Sequence, residues 1–544
     1  PGSPLYLKFI TKNEFISEYS PSEMAVMQVS SYFESYGVKV EVGPYNLALF
    51  MNNVPLYKAE EMFHTTFGLY YTPIKGFNHY YFAPIGNIYL PSYVAQYISG
   101  ISGLTNVYKY SFDLKINKDF INSGGVQILT GGDMEKAYQT YLLFNGTANG
   151  SPSNTHYFAT KYTVATILWE GVDSNGKQVA PFNPSDVISY YQQVVPQWIQ
   201  NIVGSTPNVT GDPVNGAVPP GPSAGNDTTE ANYESTLDLE MVTTLAPGVN
   251  AVEVYGPGNS SGPSETNFPD EEFAAASKLS NLVAVSNSWG GGDVQGDNVT
   301  QNYVYEMEAT GTTVMAAAGD DGDTSQQSYP ANDATNVGGF LAVGGLTVTL
   351  NGIAGSYNGA GVPAVNAILD QVVWYSNGQT QSNGDTVGTT SGTSTAYPMP
   401  SWQDIPAVVN NGGSTSGRDV ADISAIGNNT FIYITNTSQQ MQNGGSPWFP
   451  LGGTSVASPV TAGIIAEIVA YTGHKLGFIN PLLYKMGPNE SKYSLKPFWD
   501  VTQTPSGYHA GQTQYDAKPG WDYPSGWGSI NAYNFSLDLE QMLG

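Results

Sequence analysis

Hydrophobic and polar positions follow two different rhythms along the chain, and the change comes near residue 126. Ahead of it the apolar stretches are short and punctuated. Residues 5–10 read as a strand. Ser20-Pro21 supplies a helix cap and a first-turn proline, and Met24, Met27 and Phe33 recur at helical spacing as far as Gly37. Residues 38–42 and 47–51 form a hairpin pattern around Gly43-Pro44, residues 58–66 a second helix stopped by Gly68, and Tyr80-Tyr81-Phe82 a last strand. The order β-α-β-β-α-β predicts a ferredoxin-like α+β domain over residues 1–107. Residues 108–125 read as a connector.

Beyond residue 126 strands and helices alternate. Residues 164–169, 249–255, 282–286 and 313–318 are apolar strand runs, and residues 185–202, 229–245, 270–280 and 302–310 carry helical patterns between them. This alternation predicts an α/β domain over residues 126–544: a doubly wound parallel sheet with helices on both faces. Ligands of such sheets lie beyond the C-terminal strand ends. Residues 351–450, rich in Gly, Ser, Thr and Asn, predict long loops and short strands on that core.

Composition changes the picture in three ways. Only 12% of the residues are Asp, Glu, Lys or Arg, against about 25% in ordinary globular proteins, and the formal net charge is −27. Such a surface titrates little as pH falls, which suits an acidic medium. It is also the surface of any soluble acidic protein, and it makes nucleic acid an unexpected partner. The absence of cysteine excludes disulfides, thiolate catalysis and Cys-ligated metals. No apolar run of about 18 residues predicts a membrane span. N-x-Ser/Thr sequons begin at Asn145, Asn149, Asn208, Asn226, Asn259, Asn298, Asn428, Asn436, Asn489 and Asn534, none before residue 122. They predict possible N-glycans on the second domain and a secreted, extracellular protein.

The candidate chemistry sits in four segments. Gly452-Gly453-Thr454-Ser455-Val456-Ala457-Ser458-Pro459 precedes an apolar helix at residues 460–470. It places Ser455 just ahead of a helix N-terminus, where free N–H groups favour an oxyanion; a plain Ser/Gly cap reads the same way locally. A serine nucleophile needs a base. The five histidines (His64, His79, His156, His474 and His509) include none at a strand end of the α/β core, so an Asp-His-Ser triad is not expected. Glu234 and Asp238 share one helix face at i, i+4, where like charges split their pKa values; a solvated acidic pair has the same spacing, and neighbouring Glu240 is expected to be solvated. Asp320 follows an apolar strand in Ala318-Gly319-Asp320-Asp321-Gly322. It is either a group able to donate to an oxyanion or part of an Asp/Gly turn or cation loop. Finally Asp500 and Asp522, with glycines between them, suit Ca²⁺.

In this order, and without a suitable histidine, these segments resemble the sedolisins, the serine-carboxyl peptidases of kumamolisin-like type with an activation propeptide. The resemblance implies a subtilisin-like fold. It implies Ser455 as nucleophile, Glu234 as its base, Asp238 polarising Glu234, and Asp320 at the oxyanion, with Ser286 to Gly291 as the family's Trp-Gly segment. It also implies one structural Ca²⁺ held by Asp500, Asp522 and the carbonyls of Val501, Lys518 and Gly520. The expected partners are polypeptide substrates and the chain's own propeptide, which is cut away within the connector. A further family glutamate falls near Glu170 but one position out of register. The expectation is an acid-acting secreted endopeptidase in proenzyme form. The competing expectations are a tripeptidyl exopeptidase and a non-catalytic surface or filament protein on the same fold.

Overall fold

The structure, a computed structural model, describes residues 7–72, 79–107, 109–116, 128–144, 156–322, 327–351, 368–380, 386–436, 445–492, 495–508 and 515–543. Its organising element is a sheet of strands β1 (Thr163–Trp169), β2 (Asn208–Pro213), β3 (Asn250–Gly256), β4 (Leu282–Asn287), β5 (Thr313–Ala317), β6 (Leu341–Leu350), β7 (Ile368–Val373) and β8 (Ile423–Ile426). They run in the order β7-β6-β5-β4-β1-β3-β2, with β8 also paired to β6. Every pairing is parallel except β6 with β7. Strands β1, β4 and β5 are buried along their whole length, as expected where helices cover both faces.

Those helices are α1 (Pro184–Val194), α2 (Ala231–Leu245), α3 (Asp270–Ser277), α4 (Asn298–Ala309) and α5 (Thr454–Thr472). Leu237 and Val242 of α2 share one core with Val460 and Ile464 of α5. Phe273 of α3 and Met307 of α4 belong to another. Helix α5 is apolar on nearly all sides because it is the central helix. Its length and composition would let it cross a bilayer, but it is largely buried in the domain. It crosses α2 at Gly463, where a Cβ would stand 2.5 Å from the Leu245 Cβ. That close crossing brings the N-terminal turns of α2 and α5 to the same end of the sheet.

Several boundaries differ from the sequence reading for local reasons. The helix expected over residues 185–202 divides at Pro196 into α1 and a second helix, Gln197–Val203, because proline has no N–H to continue the ladder. Helix α4 starts earlier than expected because the Asp297 carboxylate accepts from the N–H groups of Val299 and Thr300 at 2.8 and 3.0 Å. The N-terminal domain forms two separate antiparallel hairpins, Glu41–Val42 with Leu49–Phe50 and Phe67–Thr72 with His79–Pro84. The expected first strand does not form over residues 7–10. There the Ile10 N–H donates to Ala309 at the end of α4, 3.2 Å away, so the segment is drawn to the second domain. The ferredoxin-like order is thus incomplete among the described residues.

The two domains meet at α3 and α4. Lys12 Nζ donates to the carbonyls of Ser277 and, at 2.8 Å, Leu279; Tyr45 donates to Ser277 at 2.8 Å; Asn298 donates to Ser99 at 2.9 Å; and Ser102 donates to Asp270.

Buried carboxyls recur through the second domain. Burial first of all holds Glu135, Glu240, Glu308 and Glu467 well above the ordinary carboxylate range. It pushes Asp333 and Asp419 up to about 6 and Glu253 up to about 8. Glu240, expected to be solvated, is fully buried and accepts the Tyr433 N–H at 3.1 Å. A carboxyl with a higher pKa folded than unfolded stabilises the fold fully below its unfolded value, near pH 4, and that contribution drains away as pH rises through the raised value. Melting followed by circular dichroism on the Ser455→Ala chain is therefore expected to be highest near pH 4 and to fall by pH 8. A melting temperature that climbs over that interval contradicts this account.

Candidate active site

Beyond the C-terminal ends of β4 and β5, α2 and α5 present their first turns to one another. Ser455 is the second residue of α5, not a residue ahead of it, and is fully buried. Gly453 caps the helix at φ +139°, a conformation that favours glycine. Pro459 cannot donate to the Ser455 carbonyl four residues back; the Ser288 hydroxyl lies 3.4 Å from that carbonyl instead.

All four sequence-derived catalytic residues are gathered here. Glu234 and Asp238 lie one turn apart on α2, both fully buried. Desolvation, then the Asp238 charge, holds Glu234 well above the usual carboxylate range; Asp113 and Asp320 add to it. Asp238 is raised chiefly by desolvation, eased by the Ser288 hydroxyl that donates to its Oδ1 at 2.8 Å, and raised further by Glu253. Asp320 is fixed by Thr454, whose N–H and hydroxyl donate to Oδ1 at 2.8 and 2.9 Å. The Ser455 hydroxyl is near enough to pull the Glu234 pKa down. Yet neither Glu234 oxygen has a partner in hydrogen-bonding geometry, and the hydroxyl donates to the Ser288 carbonyl at 3.2 Å. The serine and its candidate base are thus adjacent, with their hydrogen bond unmade.

The connector explains the burial of Ser455. Ser111–Phe112 pairs antiparallel with Trp289–Gly290, and Lys115–Ile116 pairs antiparallel with Leu451–Gly452. Between them the Asp113 N–H donates to Ser288 at 3.3 Å, and the Asp113 carbonyl accepts the Ser455 N–H at 3.1 Å. The expected Trp-Gly segment is therefore the strand edge on which the connector lies.

Sequence reasoning missed Ser288, Thr454, Glu253 and Asp113. Ser288 and Thr454 stand inside segments singled out above, residues 286–291 and 452–459, but neither is assigned a role of its own there. Glu253 looked like one more polar position in β3, though it is fully buried and accepts from Ser235 at 2.8 Å. Glu170 is buried and accepts from the Val218 N–H, away from the residues gathered around Ser455. No histidine joins the site among the described residues; His509 lies outside them.

Of the expected cation ligands, the two carboxylates lie against the backbone of Lys518 and Gly520. Asp522 accepts from the N–H groups of Lys518 and Ser525, each at 2.9 Å, and from the Ser525 hydroxyl at 2.7 Å. Asp500 accepts from the Gly520 N–H at 3.1 Å. Burial pushes Asp522 up to about 7, and the Asp500 charge adds to it. Among the described residues no group of three or more His, Cys, Asp or Glu suited to a metal comes together. A cation here would draw on these two carboxylates and backbone carbonyls, a donor set that fits Ca²⁺.

Of the sequons, Asn208, Asn226, Asn259 and Asn298 are exposed, Asn489 and Asn534 are half-buried, Asn428 and Asn436 are buried, and Asn145 and Asn149 lie outside the described residues. Asn428 and Asn436 are shut inside the fold, so possible N-glycans are confined to the remaining sequons.

Thr454 gives a test of this framework that does not depend on turnover. It also accepts the Gly319 N–H at 3.0 Å, so Thr454→Val leaves that buried N–H unpaired and takes one donor from Asp320. In the Ser455→Ala background it is expected to cost about 1–3 kcal/mol in chemical denaturation. A neutral result contradicts the network.

Comparison with known proteins bears on the family and the fold. A model described as the pro-kumamolisin activation domain matches residues 1–107, and one of the subtilase family matches residues 223–481. Sedolisin of Pseudomonas sp. (strain 101) is 25% identical over 98% of this chain and 82% of its own length. Kumamolisin of Bacillus sp. (strain MN-32) is 27% identical over 70% of this chain, and the chain spans 63% of it. A solved Pseudomonas sedolisin, described as a serine-carboxyl proteinase complexed with two molecules of pseudo-iodotyrostatin, shares the fold. Its TM-score is 0.53 at 22% identity, covering 77% of this chain and 99% of that one. An activation domain leading into a subtilisin-like sheet, with a serine and buried carboxyls at its strand ends, makes this chain a serine-type peptidase of the sedolisin family.

Proposed function

We propose that the chain is the proenzyme of a secreted, acid-acting endopeptidase whose nucleophile is Ser455. The observation that carries this reading is the Ser455 N–H on a peptide carbonyl inside a cluster of buried carboxyls. Ser455 Oγ attacks a peptide carbonyl carbon while Glu234 takes its proton, and Asp238, held by Ser288, supports Glu234. Asp320, protonated and anchored by Thr454, donates to the oxyanion together with the Ser455 N–H. Glu234 then protonates the leaving amine, and water hydrolyses the acyl-enzyme. The connector pairs with strand edges on both sides of Ser455, so chain runs past the serine in both directions, which supports endopeptidase action over tripeptidyl removal.

Acidity follows from the roles. The Glu234–Asp238 pair must lose a proton to act, and its burial and mutual repulsion delay that loss to higher pH. Asp320 must keep its proton. Rate is expected to rise through the acid range and to be lost at neutral pH. Denatured protein digested between pH 2 and 7 checks this, with Ser455→Ala inert throughout. Glu234→Gln should lower kcat by about 10³-fold or more, and Asp320→Ala by about 10²–10³-fold. A maximum at neutral pH, or full activity in Glu234→Gln, overturns the assignment.

Acid also removes one attraction between the two domains. Lys12 and Lys475 hold down the Glu306 carboxyl, which burial nonetheless pushes up to about 7, so protonation removes the charge that Lys12 faces. One Ca²⁺ at Asp500 and Asp522, with carbonyls of Val501, Lys518 and Gly520, would tie the C-terminal loops together. Chelation is then expected to lower the melting temperature at pH 6, and Asp522→Ala to remove that calcium dependence. Equal melting with and without chelator argues against the site. Secretion and glycans at Asn208, Asn226 or Asn259 belong to the same proposal and are checked by glycosidase treatment of the secreted chain.

A further inference from the structure

We infer that the first bond this enzyme cuts is its own Asp113–Leu114 bond, and that the seats of residues 110–113 define the substrates it prefers. The inference rests on the peptidase reading above and goes beyond it by naming the bond and the side chains recognised.

The backbone geometry singles out one carbonyl. In the connector, Asp113 O faces the nucleophile's own N–H. Its carbonyl also lies against Gly453, where an added Cβ would stand 2.2 Å from the oxygen and 3.0 Å from the Leu114 Cα. On the acyl side, Ser111 to Asp113 are held by Ser288, Trp289 and Gly290; on the amine side the chain continues along Leu451–Gly452. Cleavage between two paired segments is the geometry of a bound substrate. Ser455 Oγ bonds to the Asp113 carbonyl carbon, the bond to the Leu114 nitrogen breaks, and the proton passed to Glu234 goes to the leaving amine. Water then releases Asp113 as a free carboxyl and restores Ser455.

The side chains on the acyl side occupy shaped seats. Phe112 stacks flat on Trp169, ring centroids 4.1 Å apart at 13°. Two residues earlier, on the same strand face, Tyr110 packs against Trp289 at 5.1 Å, Phe268 at 5.6 Å and Tyr329 at 6.3 Å. Phe268 bridges these seats, 5.3 Å from Trp169 and 5.0 Å from Trp289, so together they form one aromatic trough. Gly290 makes room for the Asp113 carboxyl, whose Oδ2 would lie 3.1 Å from any added Cβ. The trough selects peptides with aromatic side chains at the second and fourth residues before the cut and a small acidic residue at the cut.

The test uses the full chain. It is purified at neutral pH and shifted to acid, and its earliest fragments are followed by N-terminal sequencing and intact mass beside Ser455→Ala. The expected first new N-terminus is Leu114, absent in the control. The matured enzyme is then given a synthetic peptide of residues 109–116 and versions carrying Tyr110→Ala or Phe112→Ala. Cleavage at the same bond, with kcat/KM falling about tenfold for each alanine, supports the inference. A first cut at another bond, or equal rates on all three peptides, overturns it while digestion of denatured protein leaves the peptidase reading standing. No proteolysis of any substrate at any pH removes both.

Discussion

A carboxyl group taken out of water must find either a proton or donors, and the architecture around Ser455 follows from how each acid meets that demand. Glu234 and Asp238 sit where neither can be charged cheaply while the other is. Thr454 satisfies Asp320, and Ser288 satisfies one oxygen of Asp238. Buried ionisable groups are ordinarily expensive to a fold. Here the medium proposed for the enzyme supplies the missing protons, so acids elsewhere in the core, such as Glu135 and Glu467, can be tolerated on the same terms.

The second governing feature is the pair of open strand edges flanking the serine. An exposed edge with unpaired N–H and C=O groups invites another strand. In this chain residues 111–116 accept the invitation, and the activation domain anchors that strand from the far side by docking on α3 and α4. On the proposed reading inhibition and substrate binding use the same hydrogen bonds, and the aromatic trough stays filled by Phe112 and Tyr110.

Much of this was legible in the sequence. The alternating strand and helix runs fixed the parallel sheet, since a strand buried on both faces has little choice but to be continuously apolar. The catalytic acids were legible through spacing, because i, i+4 places Glu234 and Asp238 on one face. Their burial was not: acidic residues on a helix carry no local mark of whether a second helix will cover them, and Glu240 was misread for that reason. Ser288 and Thr454 serve through hydroxyls brought to the acids by the meeting of β4, β5, α2 and α5, which no single segment encodes. The N-terminal domain departed from expectation at its first segment, which bonds to the other domain, as Ile10 does to Ala309.

The continuous connector has a kinetic consequence. A substrate tethered on both sides is presented to its own nucleophile at an effective concentration on the order of millimolar, independent of how much protein is present. Conversion by this route is first-order and indifferent to dilution, so a single molecule far from any other would still mature. The same tether shields the cleft: a peptide or small inhibitor arriving from solution must compete with a strand that never leaves.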